Sequence, residues 1–274
     1  MMVDTIPIVL QLVRERTGFD FSQYRVATLQ RRIQNHMVST GTSVPAEYIA
    51  LLQSSDEATH ALLERLTIKV SSFYRNPVTF DELRRTALPD LIALRNGRPL
   101  RVWSAGCSRG EEAYTVAMLL EEAGVEGTVL ATDIDQSALR DADSGIYDSR
   151  SIATLPSELA ERYLEPALLT GRTGFAVRSN IRNRVLFQRH DLTQHPAPGQ
   201  FDLICCRNVL IYLQRDLHHA VLRKLRDAVT AGGLLCLGEA EWPTSDIMAT
   251  LTPFPRKTRL FRAIGAASFD RSIP

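Results

Sequence analysis

Apolar positions recur at helical spacing through the first 66 residues: Ile8 and Leu12, then Leu29 and Ile33, then Leu51, Leu52, Leu62, Leu63 and Leu66. The first run stops at Gly18, and a polar, turn-prone stretch over residues 39–45 separates two later ones. The pattern predicts a small all-helical domain over residues 1–66. Over residues 67–98, Pro77 and Pro89 punctuate short helical stretches, which predicts a linker and lid. From Leu100 onward the period changes. A strand over 100–104 leads through a glycine turn into a helix over 111–123 stopped by Gly124, then a strand over 128–132 and a helix over 136–142. Such alternation implies an α/β, doubly wound sheet of parallel strands joined by right-handed crossovers. Further on, residues 201–206 read as a buried strand, 214–229 as a helix, Gly232-Gly233 as a turn, and 234–237 and 258–263 as strands. The doubly wound pattern does not require residues 148–188. Apparent strands there, 174–178 and 185–188, predict a small antiparallel β subdomain inserted at the sheet's edge. The α/β domain thus covers residues 99–265, and residues 266–274 read as a flexible tail.

Composition narrows the setting. With 274 residues, 45% hydrophobic and 23% charged, the chain can bury one large core and a small second domain. A net charge of +1 gives no bulk attraction to nucleic acid or anionic lipid. Four cysteines (Cys107, Cys205, Cys206, Cys236) have neither zinc-site spacing nor disulfide density, so no metal is expected and a reducing, cytoplasmic location fits. The apolar run at the N-terminus is interrupted by Asp4, Gln11 and Arg14 and lacks the order of a secretory signal. No stretch reaches the roughly 20 apolar residues of a membrane span.

Chemistry enters at the glycine turn. The stretch Trp103-Ser-Ala-Gly-Cys-Ser-Arg-Gly-Glu-Glu112 puts small residues, Gly106 among them, between a strand and a helix, where backbone can approach a ligand closely. The next strand ends in Asp133, at the distance where a doubly wound fold binds a ribose. Glu111 and Glu112 open the helix, where a pyrophosphate would be repelled. S-adenosylmethionine (SAM), a phosphate-free sulfonium with an ammonium group, suits them better, although both acids would also complement the helix dipole. Asp191 could accept from an adenine amino group or simply cap a turn. His218-His219 is expected to be solvent-exposed, and no His–carboxylate base pair accompanies the turn.

Four segments in order carry a resemblance: Ser71-Ser-Phe-Tyr-Arg75, residues 103–112, Ala131-Thr-Asp-Ile-Asp135 and Cys206-Arg-Asn-Val-Leu-Ile-Tyr212. In these the chain resembles the CheR-type chemotaxis receptor methyltransferases, from Tyr24 to the final strand. The resemblance implies a helical N-terminal domain joined to a SAM-binding doubly wound domain with a small antiparallel β subdomain. It also implies that a glutamate side chain on a receptor is methyl-esterified, with S-adenosylhomocysteine as product. Cofactor contacts are implied at Ser71, Arg75, Gly106, Glu111, Glu112, Asp133, Asp191, Leu192, Cys206, Arg207 and Asn208. Arg75 and Tyr212 are implied to face the reacting methyl group. Lys69, Ala113, Asp191 and Gly238-Glu-Ala-Glu241 depart from the family's usual pattern.

A carboxylate acceptor is already ionised at neutral pH, so Arg75 and Tyr212 are read as positioning groups rather than proton carriers. On the stretch 24–38, Arg25, Arg32 and His36 share a helical face flanked by Arg31. By resemblance this basic face docks the acidic methylation region of a receptor. The β subdomain binds a receptor's C-terminal peptide in some family members. A monomer that neither binds nucleic acid nor enters the membrane completes the expectation. The alternatives are a SAM methyltransferase with another protein or small-molecule substrate, and a non-catalytic module that binds SAM or its product.

Overall fold

The computed structural model describes residues 2–22, 24–67, 71–169, 172–255 and 258–264; Lys69 and the 266–274 tail lie outside them. The chain forms two compact units, Met1–Lys69 with Tyr212–His218, and Val70–Ile211 with His219–Pro274.

In the first unit α1 (Met2–Thr17), α2 (Val26–Ser39), α3 (Pro45–Ser54) and α4 (Asp56–Leu66) surround Val9, Val13, Leu29, Ile33, Tyr48, Leu52 and Leu62. Local chemistry sets the boundaries. Pro45 opens α3 in the first turn, and the Ser55 hydroxyl accepts the Ala58 N–H to cap α4, with Asp56 and Glu57 in its first turn. On α2 the buried positions are Leu29, Ile33, His36 and Met37, an i, i+4, i+7, i+8 stripe. This corrects the expected basic face. His36 belongs to the core stripe, its Nδ1 2.7 Å from the Tyr48 hydroxyl, and burial lowers its pKa. The Arg32 guanidinium is also turned inward, donating to the Arg65 carbonyl at 2.7 Å at the end of α4, where carbonyls lack helical partners. Arg25 and Arg31 are exposed.

The second unit begins with α5 (Pro77–Glu82), a π turn over Leu83–Ala87 and α6 (Leu88–Arg95), one continuous helical run. Pro77 sits in the first turn of α5, and Pro89 follows the π turn, where Leu88 N–H reaches back to the Leu83 carbonyl and the bonding register slips by one. Phe80, Leu83, Leu88 and Leu91 from this segment, expected as linker and lid, lie in the unit's main core.

The elements that follow are β1 (Leu100–Ala105), α7 (Glu111–Glu122), β2 (Gly127–Asp133), α8 (Gln136–Ser144), β3 (Ile146–Tyr147), α9 (Ser157–Tyr163), β4 (Leu164–Leu169), β5 (Arg172–Val177), α10 (Ser179–Arg182), β6 (Val185–Arg189), β7 (Phe201–Cys206), α11 (Arg215–Ala228), β8 (Val229–Leu237), α12 (Ser245–Met248), β9 (Leu251–Pro253) and β10 (Leu260–Ala263). Seven strands form one sheet in the order β6-β2-β1-β7-β8-β10-β9. From β6 through β8 the pairing is parallel; β10 runs antiparallel to β8 and β9. β7 is buried along its whole length and apolar from Leu203 to Cys206, as a two-sided strand requires, with the one charged residue, Asp202, paired to Arg95.

A separate three-stranded antiparallel sheet, β3-β5-β4, forms the insertion. Residues 185–188, expected within it, instead pair parallel to β2 as the edge of the main sheet. Residues 146–147 and 164–169 supply β5 with its partners. The reason is geometric: β6 returns from α10 to the free side of β2, whereas β5 folds back directly onto β4. Gly232-Gly233 also departs from expectation. It lies inside β8, where the register against β7 jumps from Phe201↔Val229 to Leu203↔Leu234, so the glycines form a bulge rather than a terminal turn.

Candidate functional site

The sheet order reverses direction at β1, between β2 and β7, and the carboxyl ends of these strands form the crevice where open α/β sheets bind ligands. The glycine turn leaves β1 there. Gly106 has φ +78°, and a Cβ on it would lie 2.4 Å from Val209 Cγ2, so only glycine fits. The Gly106 and Cys107 amides both donate to the Thr132 carbonyl, at 2.8 and 2.9 Å, tying the turn to β2.

Three carboxylates converge on this turn. Asp133 ends β2 and accepts the Ser108 amide at 2.8 Å and the Asp135 amide at 2.9 Å. Burial raises its pKa against the pull of those amides. Glu112 is held by the Ser104 hydroxyl at 2.8 Å and by Arg207 at 3.3 Å. Glu111 differs from both. It is fully buried, and among the described residues neither carboxylate oxygen has a hydrogen-bond partner. Burial raises its pKa; its own amide, Arg109 and the Ser71 hydroxyl pull it down, none of them in hydrogen-bonding geometry. The buried Cys107 thiol registers all three acids: burial pushes it up, and the charges of Asp133, Glu112 and Glu111 push it further. An unpartnered buried carboxylate in an acid-lined turn fits a cationic, phosphate-free ligand and would repel a pyrophosphate. By this test the residues fit SAM.

A second wall follows β7. Cys206 is buried, its thiol pushed up chiefly by burial. Asn208 adopts a left-handed conformation, φ +60°, which asparagine tolerates. The loop behind it is held by a residue sequence reasoning missed in this role, Glu241. Its carboxylate, 1% exposed, accepts the amides of Gly238 (2.7 Å), Asn208 (2.9 Å), Leu210 (2.7 Å) and Ile211 (3.3 Å). The alanine at position 240, where the family more usually has serine, marked the segment without revealing that four amides meet the glutamate beside it.

Arg207 is placed differently from expectation. Its guanidinium is taken up inside the protein: it pairs with Glu112, donates to the Arg75 carbonyl at 2.7 Å and Asn76 Oδ1 at 2.9 Å, and lies 4.8 Å from the Phe80 ring centre. It therefore braces the segment that carries Ser71 and Arg75. That segment is strained at Tyr74, φ +54°, and turns again at Asn76, φ +62°, which asparagine tolerates. A left-handed tyrosine costs about 1–3 kcal/mol and persists where the surroundings over-determine it.

Asp191 Oδ1 caps its own turn, accepting from the Thr193 amide (2.8 Å), the Thr193 hydroxyl (2.6 Å) and the Gln194 amide (3.2 Å). Leu192 is 9% exposed, with its carbonyl held by Lys224 at 2.7 Å. Tyr212 belongs to the first unit, where its carbonyl accepts the Arg25 N–H at 2.9 Å. His218 and His219 are half-buried rather than exposed; His219 bonds Thr244 Oγ1 at 3.1 Å and pairs with Asp246 at 3.3 Å, anchoring α11 to the start of α12. Among the described residues no helix is long and apolar enough to cross a membrane.

Comparison with known proteins bears on this geometry. Residues 69–250 match the family model described as CheR methyltransferase, SAM binding domain. Residues 6–67 match CheR methyltransferase, all-alpha domain. The chain is 34% identical over 251 residues to a chemotaxis protein methyltransferase of Listeria monocytogenes, covering 89% of this chain and 93% of that protein. It is 31% identical over 273 residues to a putative methyltransferase, Cher3, of Pseudomonas putida, covering 94% and 96%. A third relative, an uncharacterized 104.1 kDa protein of Rhodobacter capsulatus, is 36% identical over 230 residues, covering 81% of this chain and 24% of that much longer one.

Proposed function

Because the chain belongs to the CheR methyltransferase family, we propose that this SAM-dependent methyltransferase esterifies glutamate side chains in the cytoplasmic methylation region of chemoreceptors. The observation that carries the cofactor side is the unpartnered Glu111 carboxylate beside Glu112 and Asp133. Carrying the substrate side is the similarity over nine-tenths of both chains to a chemotaxis protein methyltransferase.

Bound SAM supplies an electrophilic methyl group on a positively charged sulfur. The chain's residues then have a positioning task. Glu111 attracts the donor's positive charge, Asp133 takes the ribose hydroxyls, and Leu192 and the Cys206–Asn208 turn line the adenine side with Asp191. A glutamate acceptor, with an ordinary pKa of about 4.3, is ionised at neutral pH and needs no base. Arg75 orients that carboxylate so that oxygen, carbon and sulfur fall in line. Tyr212 is assigned the same kind of role from its motif alone. Arg75→Ala should lower kcat with the proton inventory of the reaction unchanged, and Tyr212→Phe should reduce it less. Arg25 and Arg31, the exposed basic residues of the N-terminal helical face, attract the acidic receptor segment. Arg32 supports that face from behind. Higher ionic strength should then raise KM for the receptor more than for SAM.

The deciding experiment incubates the protein with methyl-labelled SAM and receptor cytoplasmic fragments. Label released by mild alkali and mapped to glutamate is the expected result. Alkali-stable label would point to N- or C-methylation, and absence of transfer would remove the proposal.

A further inference from the structure

The insertion opens with residues 147–154, outside the four resemblance segments, and this stretch touches both parts of the second unit on which the proposed chemistry depends. Tyr147 is fully buried; its hydroxyl donates to the Arg109 carbonyl in the glycine turn at 2.6 Å. Its ring meets Phe73 edge-on, with centres 4.8 Å apart at 88°. The Ser151 carbonyl accepts the Phe73 N–H at 2.8 Å. Thr154 Oγ1 donates to the Phe73 carbonyl at 2.6 Å. Phe73 is therefore gripped by ring, amide and carbonyl. Asp148 keeps the grip in shape, its Oδ1 accepting from the Ser151 amide at 2.8 Å and the Ser151 hydroxyl at 2.9 Å.

Phe73 precedes Tyr74, whose φ of +54° a free chain would abandon, and stands two residues before Arg75. On the far side the segment is fixed by the Tyr74 amide on Thr115 Oγ1, at 3.1 Å, and by Arg207 on the Arg75 carbonyl. The strained turn is thus pinned at both ends, and the upstream pin is supplied by the insertion.

We infer that residues 147–154 are a positioning clamp, with Tyr147 and Thr154 as its working groups, which fixes the Arg75 segment against the glycine turn and so sets the rate of methyl transfer. This rests on the role proposed for Arg75. In-line displacement is sensitive to sub-ångström placement, so loosening one pin acts on kcat before it acts on cofactor binding.

Thr154 lies at the surface, so Thr154→Val removes the hydroxyl without opening the core. With SAM and receptor cytoplasmic fragment, this variant should lose roughly three- to ten-fold in kcat. KM for SAM and calorimetric affinity for S-adenosylhomocysteine should stay at wild-type values, and amide exchange at Phe73 and Tyr74 should accelerate. Thr154→Ser should restore turnover and exchange protection. Tyr147→Phe, which keeps the ring, should accelerate the same exchange and also weaken S-adenosylhomocysteine binding through the turn. Wild-type kcat and exchange in Thr154→Val would overturn the clamp, as would a lowered Tm without any change in kcat, or a serine variant as slow as the valine one. If Arg75→Ala kept full turnover while Thr154→Val remained slow, the assignment of Arg75 would fall and the clamp would stand. If the wild type left the receptor fragment unmethylated, the exchange comparison would still decide the clamp.

Discussion

Replacing Glu111 by glutamine should make the protein more stable and a poorer binder of its cofactor. Glu111 is fully buried and neither oxygen has a hydrogen-bond partner among the described residues, so in the free protein its charge is a cost. Leaving a buried polar group unsatisfied costs about 1–3 kcal/mol, more when charged. Against this, a carboxylate in the first turn of α7 gains roughly 0.3–1 kcal/mol from the helix dipole. Glu111→Gln should therefore raise unfolding free energy by about 1–2 kcal/mol near neutral pH. A charge-assisted contact to a bound cation is worth about 1.5–3 kcal/mol, so Kd for SAM should rise roughly 10- to 150-fold. The pH dependence has a definite sign. Burial lifts the folded pKa above the ordinary 4.5, so the folded state holds the proton more tightly than the unfolded one. Stability from this group is fully present below 4.5 and is lost as pH rises from there to the elevated folded value. SAM affinity should climb through the same folded pKa as the carboxylate ionises. Urea unfolding and titration calorimetry across that window measure both trends. A glutamine variant that binds SAM like the wild type and unfolds more easily would refute the reasoning.

Three other perturbations probe the frame around the site. Glu241→Ala orphans the buried amides of Leu210 and Gly238 and the half-buried ones of Asn208 and Ile211 and should cost about 3–5 kcal/mol by urea titration; Glu241→Gln should cost less because one oxygen still accepts. Gly106→Ala forces a Cβ to within 2.4 Å of Val209 Cγ2 in a left-handed backbone. It should destabilise by at least about 1–2 kcal/mol and weaken SAM binding, with Val209→Ala recovering only the steric share. His36 has its pKa lowered below the ordinary 6.5 by burial, so the unfolded state binds its proton first. Thermal stability should fall as pH drops from 6.5 toward the depressed value, and His36→Leu should remove that dependence.

Much of the architecture was legible because it follows from period. Helical spacing marked the N-terminal helices, and the switch to alternating strands and helices marked the doubly wound sheet. The acid-lined turn could be read because Glu111 and Glu112 open the helix after the first strand's glycine turn and Asp133 closes the next strand. Less legible was anything that depends on which strand meets which. An edge strand such as β6 has the same local pattern in either sheet, and only the return from α10 to the free side of β2 assigned it to the main one. Helical spacing likewise grouped Arg32 and His36 with Arg25, but spacing cannot tell which side of a helix its neighbours will cover.

By itself, then, the order of residues determined the class of fold and the kind of ligand, since both rest on short-range chemistry: periodicity, caps, a glycine turn and acids beside it. Tertiary structure decided how the charges are used. Glu112 is neutralised by Arg207 while Glu111, its neighbour in sequence, has no hydrogen-bond partner among the described residues, and Glu241 meets three amides from a segment some 30 residues away. Those outcomes depend on burial and on distances between remote segments, quantities that exist only after the chain has folded.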